Sequence, residues 1–333
     1  MPDNAKKISI LWWNVNRRLS EIVKNISPIS AQKPDIIFVT ETSTGYDAIP
    51  NIDGYEKFAD KEIRELNHGG IACYVSSALA THVFNISFEK SFVSFRLNFV
   101  PSFVFIGCYI QPENSKYFHP DMFSELGGFL ASLREKKMIP IMGGDLNCRF
   151  GNLNLIHEDN QLLYEDNADI SSNKHGLTYG YDLCRTGDVY PLNHLIYRRK
   201  VFDGDCTYFK CNKKSQIDFV YTNKDGLKLV KKFIIHKNDW HLSDHRSISV
   251  EINANGMFNS AFLLKRAKEL NYEFDPNRAK IVRHLGTYDM DVLTDHLHRN
   301  DTRLQEDVLA EISRLDINKA VSNSTTIFMM PYG

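Results

Sequence analysis

The sequence contains no apolar stretch of the roughly 20 residues that a membrane-spanning helix requires. Its first residues, Met-Pro-Asp-Asn-Ala-Lys-Lys, lead into a short apolar run without a small-residue cleavage site, so we expect no secretory signal peptide. Internal repeats and low-complexity tracts are also missing. These absences argue against a membrane protein or a repeat array, and they predict an intracellular globular protein.

Cysteine is sparse, with six residues in 333. Cys206 and Cys211 are separated by four residues, but neither a second cysteine pair nor a pair of histidines lies nearby, so a zinc site is not expected. Cys73 and Cys108 lie in apolar runs, where cysteine behaves as a small hydrophobic residue. We therefore expect six reduced thiols, in agreement with an intracellular protein.

A surplus of positive charge is missing as well, because 40 Lys and Arg face 41 Asp and Glu and the formal net charge is −1. A protein that binds nucleic acid through overall charge is usually basic. Any contact of this chain with nucleic acid must therefore come from local groups of basic residues.

The composition that is present, 43% hydrophobic and 24% charged, is ordinary for a globular protein. The length allows one large α/β domain of about 250 residues with an extension. Strand patterns continue to about Ile252 and then vanish, whereas helical spacing continues, for example at Leu304, Val308 and Ile312. We predict one domain over residues 1–253, followed by a helical extension or linker over residues 254–333.

The stretch Ile139–Phe150 carries the strongest local signal. Its apolar start, Ile139–Met142, predicts a short buried strand, and two glycines then release the backbone from ordinary steric limits. Asp145 and Asn147 follow directly, so a carboxylate and an amide at a strand end can reach one cleft and act as a base and its hydrogen-bonding partner. An ordinary turn is the alternative, since Gly, Asp and Asn are all turn residues.

Other predicted strands also end in polar groups. Residues 8–16 end in Asn14 and Asn16, and the buried strand that follows is succeeded by Glu41. Tyr109 lies at the end of a later strand, before a loop marked by proline. A strand-end carboxylate is usually solvated and a strand-end tyrosine usually packs, so each signal is weak alone. The functional interpretation of Glu41 is strengthened because two amides, Asn14 and Asn16, end the preceding strand.

Asp218 lies in the apolar segment Ser215–Thr222, where an acid is costly unless it is paired. Its expected partner comes from the segment Leu-Ser-Asp-His-Arg, which holds Asp244 and His245. A carboxylate fixes the tautomer of an imidazole and raises its basicity. The sequence therefore predicts an Asp218–His245 pair.

Taken in order, these segments resemble the endonuclease/exonuclease/phosphatase superfamily, which includes apurinic endonucleases, DNase I-like nucleases and the endonuclease domain of LINE-type retrotransposons. The resemblance covers about residues 7–252. It rests on six motifs in family order: Trp-Asn14-Val-Asn16, Thr-Glu41-Thr, Gly-Cys-Tyr109, Gly-Gly-Asp145-Leu-Asn147, Gln-Ile-Asp218-Phe and Ser-Asp244-His245. It implies an α/β fold, a four-layer DNase I-like sandwich of two packed β-sheets with outer helices.

The resemblance also implies a metal-dependent phosphodiesterase that uses Mg²⁺, with Mn²⁺ as an alternative. The implied metal residues are Glu41, Asn16 and Asp244. The implied catalytic residues are Asn14, Tyr109, Asp145, Asn147, Asp218 and His245. Asp145 would deprotonate the attacking water, and His245, held by Asp218, would donate to a phosphate oxygen. The two asparagines would hold water and phosphate oxygens, and the tyrosine would contact the phosphate or the leaving group.

Within the family, Trp-Asn-Val-Asn, Lys-Pro-Asp-Ile-Ile, His-Gly-Gly-Ile-Ala-Cys-Tyr-Val and Ser-Gln-Ile-Asp are most similar to LINE endonucleases. That branch implies nicking of double-stranded DNA to leave a 3′-hydroxyl, a nuclear location, and the reverse-transcriptase portion of a longer polypeptide as a partner. Asn16 fits this branch, whereas apurinic endonucleases usually have Asp there. The missing charge puts a second, tightly bound metal in doubt.

Two alternatives stay open. Gly-Asp-Leu-Asn-Cys-Arg149 matches the Gly-Asp-x-Asn-x-Arg motif of inositol polyphosphate 5-phosphatases, but Lys-Ser-Gln-Ile-Asp-Phe stands where their second motif, Pro-x-Trp-Cys-Asp-Arg, would be. The other alternative is a binding module that has lost catalysis. It is disfavoured because every implied catalytic position is filled.

Overall fold

The computed structural model describes residues 7–24, 33–60, 68–98, 100, 102–156, 162–165, 169–198, 200–237 and 242–253. The chain divides between Phe258 and Asn259, and all of the described residues belong to the first unit. The predicted extension over residues 254–333 lies outside them, so the extension and its boundary stay predictions. Within these ranges, no helix has the length and apolarity needed to cross a membrane.

The strands are, in chain order, β1 (Lys7–Asn14), β2 (Ile36–Thr40), β3 (Tyr55–Ala59), β4 (Ile71–Ser76), β5 (Val83–Phe88), β6 (Phe92–Leu97), β7 (Phe103–Tyr109), β8 (Ile139–Asp145), β9 (Leu163–Tyr164), β10 (Tyr190–Pro191), β11 (Leu195–Tyr197), β12 (Lys200–Val201), β13 (Tyr208–Lys210), β14 (Lys213–Ser215), β15 (Asp218–Thr222), β16 (Val230–Ile235) and β17 (Ile248–Asn253). The α-helices are α1 (Leu19–Lys24), α2 (Ser77–Ala80), α3 (Asp121–Glu135), α4 (Tyr181–Gly187) and α5 (Lys224–Leu227).

Two six-stranded sheets form the body of the domain, in the orders β16-β17-β1-β2-β4-β3 and β10-β15-β8-β7-β6-β5. Both are mixed, since β1 pairs with β2 and β7 with β8 in parallel, while the other neighbours are antiparallel. The inner faces share one hydrophobic core. Helix α1 packs on the outer face of the first sheet, and α3 and α4 pack against the second. The predicted α/β sandwich with outer helices is confirmed.

β1 shows why its sequence is apolar on both faces. Ile10 and Trp12 point into the core between the sheets, whereas Leu11 and Trp13 pack beneath α1 with Leu19. A strand that is covered on both faces needs this continuous hydrophobic run rather than an alternating one.

Two aromatic rings occupy space that glycines leave free in the facing sheet. Trp12 and Phe38 stack with centroids 5.9 Å apart, and the Trp12 indole N–H donates to the carbonyl of Ile106 at 2.9 Å. A Cβ on Gly143 would come within 2.7 Å of the Trp12 ring, and one on Gly107 within 2.3 Å of Phe38. Both glycines are therefore required by the packing of the two sheets.

The structure corrects two boundaries. β8 continues through both glycines to Asp145 and does not end at Met142, because Gly143 faces Trp12 rather than forming a turn. Asp218 begins β15 instead of lying inside a strand, since residues 213–215 belong to a separate hairpin. Before α4 the chain forms a π-helical turn, His175–Gly180, which continues directly into that helix.

Candidate active site

The ends of the central strands bring the motif residues to one edge of the two sheets. In the first sheet, the parallel pairing of β1 and β2 places Asn14 level with the residue before Glu41. In the second, β7 and β8 pair Tyr109 with Asp145, and the antiparallel β15 pairs Asp218 with Asp145 as well. Residues that are far apart in the sequence therefore converge because of strand direction.

Asp218 and His245 form a buried pair, as the sequence predicts. The His245 Nδ1 lies 2.9 Å from Oδ2 and 3.2 Å from Oδ1 of Asp218. An ionised carboxylate only accepts hydrogen bonds, so Nδ1 is the donor and Nε2 faces the reaction site. Burial alone would lower the pKa of His245, but Asp218 and the nearby Asp145 and Asp244 outweigh it and raise this pKa to about 9. The imidazole is thus held as a cation near neutral pH.

Trp13 and Asn14 of β1, together with Ser243, fix the backbone around His245. The Trp13 indole N–H donates to the His245 carbonyl at 3.0 Å. The Ser243 hydroxyl donates to the Asn14 carbonyl at 2.8 Å and accepts from the His245 N–H at 3.1 Å. These contacts tie the histidine segment to the strand that carries Asn14.

Asp145 is 1% exposed and is held on both oxygens. Its Oδ2 accepts from Asn14 Nδ2 at 2.9 Å, and its Oδ1 accepts from the Asn147 N–H at 2.8 Å. Burial and the neighbouring Asp218 raise the pKa of Asp145 well above its usual range, and Glu41 adds to the rise, while His245 and the Asn147 N–H oppose it. An elevated pKa gives this carboxylate the proton affinity that a base requires.

Glu41 is oriented by a tyrosine. The Tyr109 hydroxyl donates to Glu41 Oε1 at 2.7 Å and lies 3.2 Å from Gln111 Oε1. Burial, followed by the charge of Glu41, raises the pKa of Tyr109 above its usual value. The phenol therefore stays protonated and serves as a hydrogen-bond donor to Glu41.

Asn16 and Asp244 line the cleft and are hydrogen-bonded to each other. Asn16 Nδ2 donates to Asp244 Oδ1 at 2.8 Å, and the Asn16 N–H donates to Asn14 Oδ1 at 3.0 Å. Because the amide nitrogen is engaged, the oxygen of the Asn16 side chain is the atom left for a ligand.

Several of these residues have left-handed backbones. The φ angles of Asn16, Arg17, Glu41 and Asn147 are 41°, 66°, 55° and 51°. A non-glycine residue in this region is strained, and such residues concentrate at active sites where the surrounding structure holds them. The strain is thus located in the loops that carry Asn16 and Glu41, the expected metal residues, and the amide of Asn147.

A cleft of about 710 Å³ opens over these side chains. It is lined by the motif residues Asn16, Glu41, Asp145, Asn147, Asp244 and His245. The other three expected residues are placed differently: Asn14 and Asp218 lie behind Asp145 and His245, and Tyr109 lines a neighbouring cavity. Their contacts favour positioning roles rather than direct contact with a substrate.

One group of described side chains has its ligating atoms close enough together to hold a cation. The ligating atoms of Asp145, Asp218 and His245 lie within 4.8 Å of one another, although the last two already bind each other. Glu41, Asn16 and Asp244 line the cleft and carry oxygen atoms of the kind that Mg²⁺ prefers. Burial raises the pKa of Asp145 most, the carboxylates of Asp218 and Glu41 raise it further, and a bound cation would offset the charge of those carboxylates.

Asn173 is a site residue that the sequence reasoning missed. Its Oδ1 accepts from the N–H groups of Arg149 and Gly176, both at 2.9 Å, and its Nδ2 donates to the Asn147 carbonyl at 2.8 Å. It therefore fixes the loop that carries Asn147 and Arg149, and it lines the cleft. An asparagine directly before a helical turn is a capping signal, and that signal could have identified it.

Three solved structures are similar to this chain. A 3′ phosphatase from Neisseria, bound to a product DNA hairpin, has a TM-score of 0.56 at 16% identity and covers 74% of this chain and 99% of that one. A 3′-5′ exonuclease from Neisseria meningitidis has a TM-score of 0.57 at 15% identity and covers 74% and 100%. An AP endonuclease from Leishmania major has a TM-score of 0.55 at 15% identity and covers 75% and 89%. With identities this low, the structural similarity shows a shared fold alone.

No curated protein sequence gives a significant match. A sequence profile of the endonuclease/exonuclease/phosphatase family matches residues 11–245, a range that contains every residue of the site. Since that range is the greater part of the chain, this protein belongs to the endonuclease/exonuclease/phosphatase family of metal-dependent phosphoesterases.

Proposed function

We propose that this protein is a metal-dependent endonuclease that nicks one strand of double-stranded DNA and leaves a 3′-hydroxyl and a 5′-phosphate. The observation that carries the proposal is the close approach of a base and a cationic imidazole that both line the cleft. Asp145 has the proton affinity of a base, and His245 Nε2, on a cationic imidazole, lies 4.0 Å from Asp145 Oδ2.

Asp145 accepts the proton of the attacking water. Each of its oxygens uses one lone pair on Asn14 or Asn147, which leaves a second lone pair on each for that proton. Because both oxygens are held, the carboxylate is oriented before the substrate arrives. Asn147 Nδ2 donates one N–H to the Ile110 carbonyl at 2.9 Å, and its second N–H is available to hold the water or a phosphate oxygen.

His245 donates a hydrogen bond from Nε2 to a phosphate oxygen, where negative charge increases during the reaction. Asp218 holds Nδ1, fixes the ring orientation and stabilises the cation. Mutagenesis of such charge-stabilising donors in enzymes shows effects of about 100- to 1,000-fold in rate.

Glu41, Asn16 and Asp244 hold the metal in this proposal, and Tyr109 orients Glu41. Bound Mg²⁺ or Mn²⁺ would neutralise charge on the phosphate and the leaving oxygen. Three oxygen ligands with only two carboxylates fit a cation that keeps several of its waters.

Double-stranded DNA is the proposed substrate. The support is the four segments similar to LINE endonucleases and a fold shared with a phosphatase solved on a DNA hairpin. The net charge is near neutral, so the positive charge that contacts DNA must be local. Arg149 and Lys210 line the cleft, and Lys213 and Lys214 are exposed on the hairpin beside it. In the same proposal the chain acts in the nucleus as a retrotransposon endonuclease, with a reverse-transcriptase portion as its partner.

The runner-up is an inositol polyphosphate 5-phosphatase, whose Gly-Asp-x-Asn-x-Arg motif this chain matches. Arg149, the arginine of the matching motif, lines the cleft, with Nη2 3.2 Å from the Ser215 hydroxyl. An arginine in this place suits either a nucleotide phosphate or a phosphorylated ring.

The test is incubation with supercoiled plasmid and Mg²⁺, with and without EDTA, followed by phosphate release from soluble inositol polyphosphates. We expect conversion of the plasmid to the nicked circle, dependent on the metal and abolished in Asp145→Asn. Asp182→Asn, the same change at an exposed aspartate of α4, is the matched control. Phosphate release without nicking would establish the runner-up. If the protein shows neither activity, the binding module is the interpretation that stands.

A further inference from the structure

Arg149 is a cation of the cleft that has no part in the proposed chemistry. It follows Asn147 by two residues, and Asn173 fixes its backbone on both sides. The Arg149 N–H donates to Asn173 Oδ1 at 2.9 Å, and the Arg149 carbonyl accepts from the Asn173 N–H at 3.1 Å. Building on the function proposed above, we propose that Arg149 binds a second phosphate of the nicked strand, next to the scissile phosphate.

The guanidinium of Arg149 is held in place by two residues. Its Nη2 donates to the Ser215 hydroxyl at 3.2 Å, and its Nε lies 4.0 Å from Asp169 Oδ2. Asp169 is itself fixed, since its Oδ2 accepts from the Gln216 N–H at 3.0 Å and its Oδ1 accepts from the Ser171 N–H at 2.9 Å. An arginine that is already oriented loses less conformational entropy when a ligand binds.

Most of the hydrogen-bonding capacity of Arg149 is unused. A guanidinium carries five N–H donors, and within the described ranges its only hydrogen bond goes to Ser215. The 4.0 Å contact with Asp169 is longer than the bonds of about 2.7–2.9 Å in a bidentate arginine–carboxylate pair. The side chain is 37% exposed. Because two parallel N–H groups of a guanidinium match two oxygens of a phosphate, Arg149 has the donors and the access to bind one.

The anchor of Arg149 and the imidazole of His245 lie at opposite ends of a row of three side chains. Tyr208 pairs with Ser215 in the hairpin of β13 and β14, and on its other side it forms an antiparallel bridge with His245. The Tyr208 ring lies between them, with its centroid 4.9 Å from that of His245. Neighbouring strands are about 4.8 Å apart, so Ser215 is separated from His245 by roughly 10 Å.

This separation assigns the two cationic groups to different phosphates. The scissile phosphate accepts from His245 Nε2 beside Asp145, whereas the Arg149 guanidinium is anchored beyond Tyr208. Lys210 lies two residues after Tyr208 and pairs with Lys213, so both lysines continue positive charge along the same face of the hairpin. A strand whose scissile phosphate binds at His245 can therefore place its next phosphate at Arg149.

A flanking contact of this kind acts on binding rather than on bond cleavage. The charge of the flanking phosphate does not change during the reaction, so Arg149 stabilises the bound substrate and the transition state equally. Its loss should therefore raise KM with little change in kcat. Phosphate contacts also fix the register of a protein on a strand without reading its sequence. Loss of Arg149 should consequently allow nicks at neighbouring bonds.

The experiment neutralises one phosphate at a time in two protein backgrounds. A duplex with a mapped nick site is made in versions that each carry one uncharged methylphosphonate beside the scissile bond, and KM and kcat are measured with Mg²⁺. In wild type, one position should raise KM about tenfold, the scale of one hydrogen bond to a charged group. In Arg149→Ala the same replacement should cost less than about twofold, because the partner of that phosphate is already gone.

Four further variants sharpen the test. Arg149→Lys keeps the charge without the paired donors, and Ser215→Ala removes the anchor of Nη2, so both should lose part of the tenfold cost. Arg134→Ala, at an exposed arginine in the last turn of α3, is the matched control and should leave every cost unchanged. In the Asp145→Asn background, binding can be measured without cleavage, and adding Arg149→Ala should lower the log–log salt slope by about 0.9.

The outcomes separate this inference from the proposed function. If DNA is nicked but every methylphosphonate costs the same in wild type and Arg149→Ala, Arg149 binds no flanking phosphate and the endonuclease function stands. If Arg149→Ala lowers kcat and leaves KM unchanged in a protein whose thermal melt is normal, the arginine acts on the scissile phosphate and the inference is wrong. If no DNA is nicked in any version, the endonuclease function fails and the inference fails with it.

Discussion

Asp145 and Asp218 lie directly opposite each other in the antiparallel pair of β8 and β15, and both are buried. Their surroundings differ. Asp218 is hydrogen-bonded to the His245 imidazole, whereas Asp145 is held by two asparagines, and burial and Asp218 raise the pKa of Asp145 more than His245 and the Asn147 N–H lower it. Paired carboxylates whose environments differ in this way commonly divide the acid and base roles of an enzyme. Here the surroundings predict that Asp218 supports the histidine and that Asp145 is the base.

Asp145→Asn should stop nicking without unfolding the domain. Loss of a general base lowers rates by about 100- to 10,000-fold. The amide keeps an oxygen that can accept from the Asn147 N–H, and it removes a charge that is destabilised by burial, so the melting temperature should be unchanged or higher. Plasmid nicking and a thermal melt measure both effects. Nicking at the wild-type rate would show that another group activates the water.

Asp218→Asn and His245→Ala should act as one change. If the carboxylate works only through the imidazole, the double variant should be no slower than His245→Ala alone, since linked catalytic residues are strongly non-additive. The nicking rates of the two single variants and the double variant form the test. A double loss equal to the product of the single losses would mean that the two residues act separately.

Stability in EDTA should depend on pH through His245. Its folded pKa is raised from 6.5 to about 9, so the folded state binds the proton more tightly than the unfolded state. The stabilisation from this residue is therefore complete below pH 6.5 and is lost as pH rises through about 9. Melting temperatures from pH 6 to 9.5 should fall further in wild type than in His245→Gln. His119→Gln, an exposed imidazole beside Asp121, should follow the wild-type curve.

Asn173→Ala should slow nicking and lower stability together. It removes the acceptor for two backbone N–H groups and the donor to the Asn147 carbonyl, and an unsatisfied buried group costs about 1–3 kcal/mol. Asn173→Asp keeps the acceptor and should be less damaging. Asn152→Ala, which removes a similar cap on Asn154 away from the cleft, should affect stability alone. An active Asn173→Ala protein would show that the loop needs no such support.

A protein cut after about residue 255 should fold and nick DNA. The site residues end at His245, and β17, the last strand beside β1, ends at Asn253. A thermal melt and the plasmid assay decide the matter. An unfolded product would place later residues in the core, and a folded but inactive one would show that they reach the site.

The sequence predicted those features that have local or chemical causes. An acid beside an apolar strand required a partner, and His245 was the expected one. The strand-end positions of Glu41 and Asp145 followed from hydrophobic runs. The sequence did not predict that β8 continues through its glycines. Gly143 is required because the Trp12 ring of the other sheet, far away in the chain, occupies the space of a side chain. Asn173 carries a local capping signal toward Gly176, but its contacts with Arg149 and Asn147, which place it at the cleft, appear only once the loop after β8 is folded.

The glycine facing Trp12 has a consequence for the distance between the two halves of the site. Gly143 lies two residues before Asp145 along β8, and Trp12 lies two residues before Asn14 along β1. The contact of ring and glycine therefore lies one side-chain repeat below the hydrogen bond from Asn14 to Asp145. A residue with a side chain in place of Gly143 would have to push the sheets apart or slide one past the other, and either movement would separate the amide from the base. The lateral alignment of the sheets, and with it the geometry of the catalytic carboxylate, is set by a steric fit in the hydrophobic core.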